Sequence, residues 1–355
     1  MNSRKGQTGP RRGRRPSLAA VALNVAVYLL PIAGQAQIAT EGVGPVVMAV
    51  ADLDRSVAFY TEVLSFRKID ARDARLDSFD RLTGVFGTNV RLATLRLGSE
   101  SIQLIQYRTP RGRAVPPDSR SNDQWFQHLA IVVSDMEAAS ARLTQYHVQQ
   151  ISTAPQTLPE WNRNAAGIKA FYFRDPDDHP LELIYFPPAK GDPRWQGSGK
   201  ASLPVFLGID HTAIAVADTE RALRFYRYVL GFRVVGESLN YGVEQDHLNH
   251  IFGSKVRITS LRSSTGPGIE LLEYLAPRNG RQWPGDAKAN DLWSSETTII
   301  AKDFSNALSA LSTARVEFVS SEPQETAPLG EKGSRGVLLH DPDGHLVLFE
   351  SRPDP

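Results

Sequence analysis

The feature that most constrains the fold of this chain is an internal repeat. The segment DLDRSVAFYTEVLSFR, residues 52–67, matches DTERALRFYRYVLGFR, residues 218–233, at an offset of 166 residues. Self-similarity at a fixed offset indicates a duplicated structural unit. The repeat therefore predicts two similar halves, at about residues 41–188 and 204–352, each long enough to bury a core of its own. Residues 189–203, which contain three glycines, are predicted to link them.

Each half divides again into two modules with the same order of elements. Residues 209–216 alternate as a strand does, and Asp218 can cap the amphipathic helix that follows. Residues 128–133 show the same alternation, and Asp135 stands before the next helix. We expect further strands after each helix, which makes βαβββ modules and an α+β fold of mixed sheets with the helices outside. The four modules cover about residues 41–110, 123–188, 204–277 and 291–352.

The first 36 residues have the layout of a secretory signal peptide. Four arginines between positions 11 and 15 precede an apolar run over residues 18–32, and the segment 1–36 ends in small residues. We expect this segment to be cleaved, which leaves a periplasmic or secreted protein that no longer contacts a membrane. The alternative is an N-terminal anchor that is not cleaved.

The composition narrows the chemistry that the chain can perform. There is no cysteine, which excludes disulfides, thiolate ligands and cysteine nucleophiles, so any metal must be held by His, Asp or Glu. The formal net charge of +1 falls to −5 without the six basic residues of segment 1–36. This balance gives no electrostatic reason to expect binding to nucleic acid or to an acidic membrane surface.

Two kinds of motif carry a resemblance to a known superfamily. The helix motif FYRYVLGF lies at residues 225–232, and the turns DPDDH and DPDGH lie at residues 175–179 and 341–345. With four modules, the chain resembles the vicinal oxygen chelate superfamily, which includes glyoxalase I, extradiol ring-cleaving dioxygenases, methylmalonyl-CoA epimerase and bleomycin-resistance proteins. The resemblance implies that paired modules curl their sheets into an open cup. It also implies that residues of the first and last strands of each module hold a divalent metal in the cup.

The resemblance further implies where the metal ligands lie. In the superfamily, the first-strand ligand precedes the helix-capping aspartate by seven residues, and His128 and His211 occupy this position in the second and third modules. The last-strand ligand is the glutamate of an LEL or IEL triplet, here Glu182 and Glu270. The first and fourth modules have other residues at the four equivalent positions: Pro45, Gln103, Glu296 and Leu348.

The pairing of the modules decides whether these residues form one site. If the modules pair within each half, each cup receives one histidine and one glutamate of the set, with Gln103 in one cup and Glu296 in the other. If the second module pairs with the third, and the first with the fourth, one cup receives all four predicted ligands. We prefer the second pairing because it explains why the losses fall in the first and fourth modules. It predicts ring nitrogens of His128 and His211 roughly 3–4 Å apart across one metal ion.

The predicted ligand set suggests a reaction class. Two imidazoles and two carboxylates suit one divalent ion (Ni, Zn, Mn or Fe) with two positions open to water or substrate. Such an ion stabilises the charge formed when a carbon between two substrate oxygens loses a proton, and Glu182 or Glu270 can act as the base. We expect an exported lyase or isomerase of the glyoxalase type, a monomer or homodimer acting on a small molecule with vicinal oxygens. The alternatives are an extradiol-type ring-cleaving dioxygenase with Fe²⁺ and a non-catalytic binding protein similar to the bleomycin-resistance proteins.

Overall fold

The computed structural model describes residues 38–196 and 203–352. The predicted signal peptide therefore lies outside the described residues, as do residues 197–202 of the predicted linker. In the described part of the chain, no helix is long and apolar enough to cross a membrane. The fold is α+β, with two curled sheets and few helices, which confirms the predicted fold class.

Seventeen strands and six α-helices lie within the two described ranges. The strands are β1 (Thr40–Ala49), β2 (Arg67–Ala74), β3 (Asn89–Leu97), β4 (Glu100–Thr109), β5 (Gln127–Val133), β6 (Gln156–Thr157), β7 (Lys169–Arg174), β8 (Pro180–Tyr185), β9 (Phe206–Val216), β10 (Arg233–Tyr241), β11 (Lys255–Arg262), β12 (Gly268–Ala276), β13 (Ser295–Ala301), β14 (Glu317–Phe318), β15 (Gln324–Glu325), β16 (Arg335–His340) and β17 (Leu346–Ser351). The helices are α1 (Leu53–Ala58), α2 (Asp77–Thr83), α3 (Met136–Gln145), α4 (Thr219–Leu223), α5 (Val243–Asn249) and α6 (Phe304–Thr313). Helices α1 and α4 continue as π-helical turns over Phe59–Val63 and Arg224–Val229, and Pro193–Gln196 form a 3₁₀ turn.

An aspartate caps the helix that follows the first strand of each module. Its side chain accepts a hydrogen bond from the backbone N–H three residues later, which satisfies a donor that has no partner inside the helix. The capping residues are Asp52, Asp135, Asp218 and Asp303. The caps confirm the predicted helix starts.

Strand pairing joins modules from different halves of the chain. The eight-stranded sheet has the order β10-β11-β12-β9-β5-β8-β7-β6, so it contains the second and third modules. The other sheet has the order β14-β16-β17-β13-β1-β4-β3-β2, with β15 beside β16, and contains the first and fourth modules. The centres of the sheets are the antiparallel pairs β5·β9 and β1·β13. This topology confirms the pairing of the second module with the third, and pairing within each half is wrong.

Helix packing, in contrast, joins the modules within each half. One apolar core surrounds Tyr60 and combines the first and second modules, and another surrounds Tyr226 and combines the third and fourth. The hydroxyl of Tyr60 donates to Asp175 at 3.2 Å, and that of Tyr226 donates to Asp341 at 3.0 Å. The tyrosine of the repeated Phe-Tyr pair, in the first and third modules, thus contacts the first aspartate of the DPDDH or DPDGH turn in the next module. Each half has its own core, while the exact boundaries of the halves stay a prediction.

Candidate metal centre

The register of the eight-stranded sheet brings the four predicted ligands onto one face. At its centre, β5 and β9 place each of the two histidines opposite an alanine of the other strand. Glu182 in β8 lies beside Ala130, and Glu270 in β12 lies beside Ala213. Residues in register on neighbouring strands point to the same face of a sheet. The histidines and glutamates therefore face the same side, and the two alanines leave room between them.

We call this face the first cup, defined by His128, Glu182, His211 and Glu270. Nε2 of His128 lies 3.2 Å from Oε2 of Glu182. Nε2 of His211 lies 3.5 Å from the same oxygen and 3.3 Å from Oε2 of Glu270. One donor atom from each of His128, Glu182 and His211 lies within 4.8 Å of the other two. The structure thus brings all four residues together, with Glu182 between the two imidazoles.

The charges in the first cup depend on one another because the groups are buried. Burial raises the pKa of Glu182, but hydrogen bonds and charge interactions with His128 and His211 outweigh it and lower that pKa to about 2. Burial lowers the pKa of His211, but Glu270, Asp210 and Glu182 outweigh it and raise that pKa to about 10. The carboxylates therefore create a strongly negative environment that favours a cation at the centre of the cup.

Asp210 orients His211 and was not predicted from the sequence. Nδ1 of His211 lies 2.9 Å from Oδ2 of Asp210. Arg262 contacts both oxygens of that carboxylate, at 2.8 and 2.7 Å, and Nε1 of Trp195 donates to it at 3.1 Å. A carboxylate bound to one imidazole nitrogen keeps the proton there and leaves the other nitrogen as an acceptor, as in many metal sites. Trp195 belongs to the predicted linker, which thus contributes to the site.

A β-bulge explains why sequence alternation hides Asp210. Adjacent residues of a regular strand point to opposite faces, so Asp210 and His211 are not expected to meet. In the pairing of β5 with β9, Ala130 lies opposite His211 while the next residue, Ile131, lies opposite Ile209. Asp210 is therefore the extra residue of a bulge, which re-aims its side chain. No sequence signal indicates this bulge.

The residues of the first cup fit a divalent cation. Nε2 of His211 is buried and faces two carboxylates, with Oε2 of Glu182 at 3.5 Å and Oε2 of Glu270 at 3.3 Å. Because Asp210 holds a proton at Nδ1, a cation that displaces the Nε2 proton would meet a lone pair directed toward the centre of the cup. Imidazole and carboxylate donors together suit first-row divalent ions. His128, Glu182, His211 and Glu270 can therefore hold one such ion.

The two glutamates of the first cup differ in exposure. The side chain of Glu182 retains 7 % of its accessible surface and that of Glu270 retains 21 %. Glu182 contacts both histidines, whereas Glu270 contacts His211 and accepts a hydrogen bond from Oγ of Ser260 at 2.5 Å. Glu270 consequently lies at the more open side of the cup.

Comparison with known proteins decides the family. The family model of the Glyoxalase/Bleomycin resistance protein/Dioxygenase superfamily matches residues 42–183 and again residues 208–349. The chain belongs to this superfamily. A 2-epi-5-epi-valiolone epimerase from Actinomyces is 34 % identical over 146 residues, which cover 40 % of this chain and 78 % of that protein.

Solved structures of this superfamily share the fold across both halves. Glyoxalase I from Zea mays has a TM-score of 0.58 at 17 % identity and covers 89 % of this chain and 92 % of its own. A putative dioxygenase from Bacillus subtilis has a TM-score of 0.57 at 14 % identity, with 90 % and 87 % covered. At these identities the likeness concerns the fold alone. Superfamily members typically bind a divalent metal, and the first cup has donors for one.

The corresponding face of the nine-stranded sheet, which we call the second cup, is defined by Gln103 and Glu296. Both residues flank Val47 in register, as the sequence comparison of the modules implies. Nε2 of Gln103 donates to the backbone oxygen of Leu329 at 2.7 Å. Leu348 stands at the last-strand ligand position of the fourth module. It packs in an apolar cluster with three further leucines: Leu329, Leu338 and Leu346. Within the described ranges, the first cup supplies the one cluster of three or more closely spaced metal-binding side chains.

Glu296 has no charged partner in the second cup. Its Oε2 is buried without a hydrogen bond, and burial raises its pKa to about 8. It lies in the sheet that does not contain His211, so it cannot join His211 and Glu270 in one site, as pairing within halves would have required.

Proposed function

We propose that this chain is a metal-dependent enzyme of the glyoxalase type that moves a proton on a small substrate with vicinal oxygens, as an isomerase or lyase. The observation that carries the proposal is the convergence of His128, Glu182, His211 and Glu270 on one face, with Nε2 of His211 directed at both carboxylates. The similarity to a protein named as an epimerase supports the same reaction class, because epimerisation requires a proton to leave and return at carbon.

The residues of the first cup divide the work between binding and proton transfer. His128, His211 and Glu182 would hold the ion, since they lie deepest and closest together. When bound, a divalent ion supplies Lewis-acid stabilisation of negative charge on two neighbouring substrate oxygens. Asp210 keeps the proton of His211 on Nδ1 and fixes the direction of Nε2.

Glu270 is the base in this proposal. Its carboxylate is the more exposed of the two, and Ser260 holds one of its oxygens through a 2.5 Å hydrogen bond. The carboxylate would take the proton from the substrate carbon beside the oxygens, and the resulting carboxylic acid would return it to the same or the neighbouring carbon. Return by Glu270 to the neighbouring carbon moves the carbonyl group. A change of configuration at the same carbon would need a second proton donor on the opposite face of the substrate.

Metal content and solvent exchange test the proposal together. We expect the purified chain to retain close to one equivalent of a divalent metal, and to catalyse deuterium exchange from D₂O into a small α-hydroxyketone, followed by NMR. His128→Ala and His211→Ala are expected to abolish metal retention, while His247→Ala, at an exposed position in α5, leaves it unchanged.

Two other outcomes would point to the alternative functions. Protein that retains no metal, and whose histidine variants behave as the parent does, would favour a non-catalytic binding protein. Oxygen uptake with catechols by iron-loaded protein, without deuterium exchange, would favour a ring-cleaving dioxygenase.

Export is a further part of the proposal and rests on the sequence of residues 1–36. We propose that the mature chain works in the periplasm or outside the cell. Fractionation of cells that express the full chain with a C-terminal tag tests this point. Recovery of the shortened chain in the periplasm or medium supports export, and recovery of the full-length chain in the cytosol contradicts it.

A further inference from the structure

Helix α5 closes one end of the first cup. It contacts β10 at one edge of the eight-stranded sheet and β6 and β7 at the other. Oγ of Ser152 donates to the backbone oxygen of Leu248 at 2.5 Å, and the backbone N–H of Thr153 donates to that of His247 at 3.1 Å. Leu248 packs in the same apolar cluster as Tyr172 and Ala213. The helix face that contains Leu248 therefore points into the cup.

This face of α5 also has two amide side chains without complete hydrogen bonding. Gln245 and Asn249 lie three residues before and one residue after Leu248, which places all three on one side of a helix. Both amides are almost fully buried, at 3 % and 1 % exposure. Oε1 of Gln245 has no hydrogen-bond partner, and Nδ2 of Asn249 has none of good geometry, with the Tyr274 phenol as its neighbour. Buried polar atoms are almost always paired, so these amides indicate groups that a ligand completes.

Two tyrosines extend this polar surface toward the carboxylates. The ring of Tyr172 lies against that of His128, with centroids 4.9 Å apart, and Tyr172 pairs in register with Glu182. Tyr274 is buried beside the Asn249 side chain and packs in the same cluster as Tyr172 and Leu248. The two phenols therefore adjoin the predicted metal ligands on one side and α5 on the other.

The duplicated helix in the second cup shows that these polar groups are specific to the first cup. At the repeat offset, Gln245 corresponds to Phe79 and Asn249 corresponds to Thr83, both in α2. Phe79 stacks on Tyr107 at 6.0 Å, and the hydroxyl of Thr83 donates to the oxygen of Phe79 within its own helix. Helix α2 therefore leaves neither position with an unpaired side-chain atom, because it completes an apolar core.

The recognition groups are neutral, which limits the charge of the ligand. The guanidinium of Arg262, which borders the site, is occupied by both carboxylate oxygens of Asp210 and by its backbone oxygen. Phosphate and carboxylate ligands are usually bound by free arginine or lysine side chains. Amide and phenol groups suit neutral hydroxyl groups instead, which both donate and accept hydrogen bonds.

We infer that Gln245 and Asn249, with Tyr172, bind the hydroxyl groups of a neutral polyhydroxylated ketone. The inference rests on the proposed function, because the two vicinal oxygens of this ligand would face Glu182 and Glu270 while its remaining hydroxyls face α5. The substrate class is then an uncharged keto-polyol. Phosphorylated sugars and thioesters lie outside it, and simple α-hydroxyketones are expected to react but to bind more weakly, through their vicinal oxygens alone.

Ligand titration of the metal-loaded protein tests the inference with three probes. An inosose (a pentahydroxycyclohexanone) has vicinal oxygens and further hydroxyls, hydroxyacetone has the vicinal oxygens alone, and dihydroxyacetone phosphate adds a charge. We expect the inosose to bind at least tenfold more tightly than either other probe. Gln245→Met and Asn249→Leu should each weaken inosose binding about tenfold, with hydroxyacetone binding and metal content unchanged. Thr83→Val, the matched change in the second cup, should alter none of these values.

The inference fails if the metal-loaded parent does not bind the inosose, if dihydroxyacetone phosphate binds more tightly, or if the α5 variants bind the inosose as the parent does. Equal losses for inosose and hydroxyacetone would show a general distortion of the cup and would also overturn it. Gln245→Met preserves side-chain volume, so it remains informative if Asn249→Leu does not fold. Deuterium exchange separates the two proposals. If the parent binds the inosose selectively but exchanges no deuterium into it, the proposed reaction is wrong and the binding inference stands. If the α5 variants exchange deuterium into the inosose as fast as the parent does, the binding inference is wrong and the proposed reaction stands.

Discussion

The first and second cups are built from the same repeated strands, yet they present different side chains at matching positions. Where the first cup has His128 and Glu270, the second has Glu296 and Gln103 around Val47. In the first cup the charged groups neutralise one another across a small central space. In the second, Glu296 remains without a charged partner.

A loop before the last two strands of the second and fourth modules accounts for much of this contrast. In the fourth module, the loop places Leu329 among the leucines of the second cup, and its backbone oxygen binds Gln103. In the second module, the corresponding loop stays at the edge of the first cup, where Asn162 donates to Asn240 at 2.6 Å and Trp161 packs on Tyr241. The loop of the fourth module therefore fills its cup, whereas the loop of the second module packs against the edge of the other.

The largest expected effect is on the rate of deuterium exchange, when a ligand of the first cup is replaced by the residue at the matching position of the second. Glu270→Gln matches Gln103 and removes the proposed base. We expect the rate of deuterium exchange to fall about 1000-fold, within the usual range for loss of a general base. Most of the metal should be retained, because His128, Glu182 and His211 remain. Glu182→Gln should instead lower metal content. If Glu270→Gln exchanges deuterium as fast as the parent, Glu270 is not the base, and its greater exposure does not identify the catalytic glutamate.

The second cup should give the folded chain an unusual pH dependence. Because burial raises the pKa of Glu296 from 4.5 to about 8, its contribution to the free energy of unfolding is fully present below about pH 4.5 and is lost as the pH rises through about 8. This loss amounts to about 3–5 kcal/mol. Denaturant unfolding between pH 5 and 9 should show it for the parent and not for Glu296→Gln.

Comparison of parent and Glu296→Gln isolates this group, since Glu350, whose pKa burial raises to about 7, contributes equally to both proteins. Parallel pH profiles for the two proteins would mean that Glu296 is not held in an apolar environment.

Removing side-chain volume from the second cup should lower the free energy of unfolding without changing metal binding or deuterium exchange. Leu329→Ala leaves a cavity in a buried cluster, and we expect the free energy of unfolding to fall by about 2–4 kcal/mol with metal content and exchange unchanged. Trp161→Ala, in the corresponding loop of the first cup, removes a half-exposed ring and should cost less than about 1 kcal/mol. Equal losses would show that both loops are packed alike.

The smallest effect is expected for the group that orients His211. Asp210→Asn removes the charge that holds the proton on Nδ1, and we expect metal affinity to fall about 10- to 100-fold in competition with a chelating dye. Gln127→Met changes the residue that precedes His128 and serves as the matched control, with an expected change below about threefold. If both variants lose affinity equally, the bulge at Asp210 has no special role.

The sequence by itself determined the duplication, the four helix caps and the positions of His128, Glu182, His211 and Glu270. The repeat and the caps follow from local sequence patterns, whereas the four ligand positions follow from the resemblance to the superfamily, whose ligands lie at these places in each module. The α+β fold follows from the same alternation of strand and helix signals.

Only the tertiary structure decided which modules share a sheet, because β5 and β9 pair through contacts between residues far apart in the chain. It also decided the role of Asp210, since a bulge depends on the partner strand and not on local alternation. The same holds for the openness of Glu270, the inward direction of Gln245 and Asn249, and the filling of the second cup by Leu329. Each depends on how a curled sheet brings distant segments together, and no local pattern encodes that curvature.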